Sequence, residues 1–269
     1  MMRQIFSRSN FIIFVGIALL FVTVLFSPKD IYAVEVASPK ALAESSNAAA
    51  KTSPFCTNLA TDSSKLKTNI NNLVTKLTAS WALQGSDKNA QWQQIDQKVA
   101  ANRQAADTKL TDSLANLAEK ATSDSQKQAI TVYSVAVNAA LMTRRNDTDT
   151  VRSTFRNAVD NLLTTRKDTV SAQLSKFQSA VYTAATTATD SCSADQTNGV
   201  SIHKTYQDSL TAARAAFQND RSGDDKIKSE LLKLTNSRND SFKLIDTTFQ
   251  ASMTAARTAL QDSLKNTSI

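Results

Sequence analysis

Two cysteines, one histidine and three arginines set on apolar stripes are the residues of this chain best suited to chemistry. Cys56 stands just ahead of a long helical pattern, and Cys192 lies in the loop-like stretch 189–199. A cysteine nucleophile needs a positioned base. The one histidine, His203, falls at the start of a helical pattern with nothing marking it as that base. In an oxidising compartment, two cysteines bordering helices are better explained as one disulfide. Arg103, Arg166 and Arg238 interrupt apolar stripes and admit two readings. They form an anion- or carboxylate-contact row, because guanidinium recognises such groups bidentately. Alternatively, each lays its stem on a helix seam and pairs with an acid of a neighbouring helix, which is the stronger reading.

The remaining chemistry is thinner. Asp224 and Asp225 are adjacent, so on a helix they point apart and make a poor cation site; near a helix N-terminus they suit the dipole. A glycoside hydrolase needs two carboxylates held at a defined separation, and no pair is marked for that task. No nucleotide loop or metal-ligand spacing occurs, so no catalytic, cofactor or metal residue is assigned. The net charge of +7 falls to +5 without residues 1–33, and acids are interspersed with bases along every helical segment. That is a solvated helical surface and not a nucleic-acid groove.

Residues 55–269 contain no proline and three glycines, Gly85, Gly199 and Gly223. Proline costs a helix interior about 3 kcal/mol and glycine about 1 kcal/mol relative to alanine, so this composition permits long helices. The expected fold is all-α, an elongated antiparallel bundle of about six helices. Their expected ranges are 58–84, 87–121, 129–142, 147–189, 200–220 and 224–265. Gly85 closes the first as a C-cap, and a turn at 122–126 carries a Ser-x-x-Gln capping box. The segment 129–142 is apolar on nearly all sides and is expected to be the most buried. Trp81, Trp92, Phe155, Phe177, Phe217, Phe242 and Phe249 fall on the stripes and are expected in the core.

Apolar positions recur at 3, 4, 4, an eleven-residue (hendecad) repeat, from Val151 to Ala188 and from Leu231 to Leu264. At 3.67 residues per turn such helices pack with little supercoil. The text is also duplicated: residues 209–218 parallel residues 252–261. A Cys56–Cys192 bridge constrains the topology further. If helices alternate up and down, the end of the fourth meets the start of the first; one continuous helix over 87–142 would hold the cysteines apart. The bridge therefore demands a turn near residue 123.

At the N-terminus, Arg3 and Arg8 precede the apolar run 11–26, and the stretch ends in Ala33. This predicts a secretory signal peptide over 1–33, cleaved after Ala33, or an uncleaved membrane anchor. Residues 34–54, with Pro39 and Pro54 and no apolar period, read as a flexible spacer, and 55–269 as the bundle.

Phe55-Cys56, the Gln-Lys-Gln-Ala of 126–129, Arg144-Arg145 eleven residues before Phe155, and the Phe-x-x-Ala-Val of 155–159 and 177–181 form a recognisable succession. With the Ala-Ala-Arg of 212–214 and 255–257, it resembles exported, alanine-rich helical proteins of small-genome, candidate-lineage bacteria. That group has no known activity, so the resemblance implies export and helical architecture only. The expected function is a non-enzymatic structural or interaction role in the cell envelope or outside the cell, with an unknown protein or envelope polymer as partner. No nucleic acid is expected, membrane contact is confined to an uncleaved N-terminal segment, and self-association is open. The alternative is a helical bundle that binds a lipid or envelope glycan.

Overall fold

The computed structural model describes residues 53–219 and 224–266. Its four elements are all α-helices: α1 (Pro54–Glu119), α2 (Asp124–Ala194), α3 (Gly199–Asn219) and α4 (Asp224–Asn266). The signal segment, the spacer up to residue 52 and the carboxylates of Asp224 and Asp225 lie outside the described residues. Pro54, assigned to the spacer from sequence, is the first residue of α1, where its missing N–H is no loss.

Four helices replace the expected six. The turn at residue 123 is present: the Ser123 hydroxyl accepts from the Gln126 amide at 3.3 Å, and Gln126 Oε1 accepts from the Thr122 amide at 2.8 Å. That is the expected capping box, with its return bond shifted one residue upstream. Gly85, by contrast, does not end a helix. No described glycine has the positive φ of a helix-ending αL residue, and α1 runs through Gly85, between the half-buried Trp81 and the buried Lys88. One interior glycine costs only about 1 kcal/mol. The polar stretch 143–146 does not break α2 either, because Arg144 and Arg145 are taken up by carboxylates on neighbouring helices.

The segment 129–142 is also corrected. Ile130, Tyr133 and Val137 are buried, but Val132, Val135 and Met142 are 57%, 65% and 64% exposed. A helix in a three-helix bundle has one inward stripe, so an apolar residue on its outer side meets water. The stripe positions of 151–188 and 231–264 are buried or half-buried throughout. That follows from one inward face per helix, and the four-helix division lends no support to an eleven-residue repeat as the unit of the fold.

The chain divides into two compact units. Unit 1 holds the described residues up to Ala82 together with Leu163–Ser229. Within it α1 and α2 are antiparallel, as shown by Cys56 bonded to Cys192, Lys67 over the Tyr182 ring and Gln178 bonded to Asn71. The third helix, α3, runs antiparallel to α2, with Ile202 near Ala188 and Phe217 against Phe177. Leu66, Ile70, Leu174, Phe177, Val181 and Leu210 form its main core. At its end, Ser53 donates its amide to the Gln196 carbonyl at 3.1 Å and its side chain occupies the space a Cβ on Gly199 would need. Glycine at 199 is thus a packing requirement.

Unit 2 holds Leu83–Leu162 and the described residues from Glu230 onward. It repeats the plan with α4 as the third helix. Tyr133 and Val137 of α2 pack on Phe249, Met253 and Ala256 of α4, with Leu110, Leu114 and Leu117 of α1 completing the cluster. The seven stripe aromatics are all buried or half-buried.

Candidate functional site

The chemistry-bearing side chains of unit 2 are concentrated on the seams between its helices. On α1, Asp96, Arg103 and Asp107 are spaced seven and four apart; on α2, Arg145, Asp149, Arg152 and Arg156 are spaced four, three and four. Those intervals put each set on one helix face. The antiparallel pairing then aligns opposite charges. Arg156 meets Asp96 with both terminal nitrogens, at 2.7 and 2.8 Å, and Arg103 meets Asp149 with two bonds of 2.8 Å. Arg145 reaches Asp107 at 3.0 Å, Arg152 lies 3.0 Å from Asp149, and Lys88 is paired with Asp160. On the other side of α2, Arg144 bonds Asp246 of α4 at 2.7 Å while covering the Phe249 ring at 4.7 Å. Trp92 receives two cations, Lys88 at 4.6 Å and Arg156 at 5.2 Å from its ring centroid. Bidentate forks and stacked guanidiniums fix register as well as contact.

No protein-family model, curated protein or solved structure matches this chain. What the arrangement can do is read from its own geometry.

The arginines singled out from sequence are divided between the units, Arg103 and Arg238 in unit 2 and Arg166 in unit 1. Arg103 has its fork filled by Asp149, which is the pairing expected of a seam arginine. Arg166 belongs to unit 1 and is half-buried there. Arg238, in unit 2, is buried and among the described residues bonds to the neighbouring Asn239, at 3.2 and 3.0 Å, with its guanidinium 4.5 Å from the Phe155 centroid. Sequence reading did not pick out Arg145, Arg152 and Arg156 as seam residues, although their spacing around Asp149 carried the signal.

The seam controls protonation. Hydrogen bonds from Arg156, Arg103 and Arg145 hold Asp96, Asp149 and Asp107 respectively below the ordinary carboxylate range. Arg103 is pushed up by its bond to Asp149, whereas burial pulls Arg152 down. A carboxyl whose folded pKa is depressed adds stability that is complete above the unfolded pKa, near 3.8 for Asp, and is lost as pH falls through the folded value. Unit 2 is therefore expected to lose stability below about pH 4, by roughly 0.2–1 kcal/mol for each of the Asp96 and Asp149 pairs after solvent screening. Thermal melts at pH 7 and pH 3 check this: a D96N/D149N double variant should show a smaller pH-dependent drop than the native chain. An equal drop would place the acid response elsewhere.

In unit 1 the sulfurs of Cys56 and Cys192 are bonded to each other, with the Cα atoms 5.5 Å apart, and no described cysteine is free. Neither is a nucleophile in this state. His203 stacks on Phe55 at 4.6 Å between ring centroids, a packing role at the same end of the unit. Among the described residues, no group of three or more His, Cys, Asp or Glu is placed to hold a metal ion. Between α2 and α3 runs an open groove of about 900 Å³. Its floor is Ala184, Ala188 and Ile202, and hydroxyls such as Thr183, Thr187 and Ser201 line it.

Proposed function

We propose that this chain is an exported, non-enzymatic structural or interaction protein of the cell envelope or extracellular space. In this reading residues 1–33 act as a signal peptide or, uncleaved, as an anchor, and the partner is a protein or envelope polymer. The supporting observation is the commitment of its charged side chains: Arg103, Arg144, Arg145 and Arg156 each close a pair with an aspartate on a neighbouring helix. These four arginines serve helix register. The Cys56–Cys192 bond suits an oxidising exterior, and no described helix is long and apolar enough to cross a membrane.

Mass spectrometry of the intact, non-reduced protein from separated cytosol, membrane and medium fractions tests this reading. A mass beginning at Val34 and two hydrogens light means a processed, stapled and exported bundle. An intact N-terminus in the membrane fraction means a tethered one. Both thiols reduced in a cytosolic species would overturn export.

The α2–α3 groove favours a second reading as a binding bundle, since its volume falls in the range of about 300–1,000 Å³ typical of ligand sites. Its hydroxyls offer partners to an envelope glycan, and its alanine and isoleucine surface offers contact to a lipid. Saturable binding of a fluorescent oligosaccharide or of a fluorescent lipid probe would select that reading.

A further inference from the structure

Arg238 stands apart from the arginines around it. Arg103, Arg144, Arg145, Arg152 and Arg156 all lie within ion-pair distance of a carboxylate. Arg238 is more deeply buried, at 8% exposure, and no carboxylate of the described residues pairs with it. Burial alone acts on it, pulling its pKa down with no acid to offset the effect. Nε and Nη2 both donate to Asn239 Oδ1, at 3.2 and 3.0 Å, and the guanidinium is backed by Phe155 at 4.5 Å.

The donor and acceptor count is lopsided. A guanidinium offers five N–H donors and no acceptor, and an amide that accepts through its oxygen still has two donors on nitrogen. Arg238 Nη1 and Asn239 Nδ2 thus add donors with no acceptor assigned to them among the described residues, and Nη1 is not sealed from solvent. A buried charge with no counter-charge costs stability, and an apolar residue of similar volume would commonly be neutral or better. Local choices that oppose stability are expected where a residue serves function.

We propose that Arg238 forms a receptor for a carboxylate or similar small oxyanion, which takes the Nη1 side of the guanidinium while Asn239 Oδ1 holds the opposite Nε–Nη2 edge and Phe155 lies behind. The anion is either a free small molecule or an acidic side chain of a protein partner. The inference does not depend on export.

The test is a side-chain NMR titration of the isotope-labelled full-length, disulfide-bonded protein. Sodium acetate and a glutamate-rich peptide are added separately, each against sodium chloride at matched ionic strength. A saturable shift of the Arg238 Nε–H and Asn239 amide resonances with acetate supports the site with a free anion as ligand. Saturation with the peptide at a concentration at least tenfold lower, or with the peptide alone, supports a partner's carboxylate. Shifts that are absent, or that match chloride and do not saturate, overturn the proposal. The native resonances carry the result by themselves. In Arg238→Met, the Asn239 response should vanish while the Trp92 indole signal stays unchanged.

Discussion

Reducing the Cys56–Cys192 bond is expected to lower the stability of unit 1 by up to about 4–5 kcal/mol, the figure that loop-closure entropy gives for a closed loop of this size. The bridge joins residues 136 apart in sequence, so the unfolded chain without it gains a large ensemble of open conformations. In the folded state little else changes nearby. Leu59, Ala188 and Ile202 still bury the same surface, so the loss appears mainly through the unfolded state. Urea titrations of the native chain with and without reductant, beside a Cys56→Ser/Cys192→Ser variant, measure it. Amide exchange should locate the loss in residues 59–70 and 181–192 and spare the Tyr133–Phe249 cluster. Equal midpoints in the oxidised and reduced chains would show that the bond constrains nothing that folding had to organise.

Ile70→Ala is the second large effect. Ile70 is the most enclosed residue of the unit 1 core, at 0% exposure, where side chains from α1, α2 and α3 meet. Removing its outer carbons forfeits their transfer free energy and leaves a void bounded by Leu66, Leu174, Phe177 and Val181, for an expected loss of about 2–5 kcal/mol. Val132→Ala is the control. That residue is 57% exposed, and a surface truncation of this kind is expected to stay within about 0.5 kcal/mol. Chemical denaturation of the two variants should separate them by several-fold in effect. Comparable losses would mean that the outer face of α2 is covered in solution.

Ile70 and Val132 differ in how far their sequence surroundings determine burial. Both are β-branched and both sit in helical apolar patterns. Ile70 belongs to one clear stripe, Leu66-Ile70-Leu73-Leu77, whose period alone places it inside. Val132 lies in a segment apolar on several sides, and only the number of neighbouring helices decides which side is covered. The turn at 120–123 was legible because Ser123 and Gln126 make a local signal, completed within four residues. Gly85 and the 143–146 stretch misled for the opposite reason. Whether they interrupt a helix depends on partners far away in sequence, such as Asp246, which is 102 residues from Arg144. The disulfide was legible because two cysteines have one possible pairing. Of the three stripe arginines, the sequence anticipated the pairing mode of Arg103 without identifying Asp149, and it offered no means of distinguishing Arg238, whose character comes from the missing acid.

The positions of the cysteines also allow one order of assembly. A chain delivered N-terminus first presents Cys56 at the head of α1 and Cys192 two residues before the end of α2, so both sulfurs are available before α3 or α4 has emerged. The α1–α2 hairpin can thus be covalently closed as an intermediate in its own right. What remains is the addition of one helix to each unit, onto a pair whose ends are already tied.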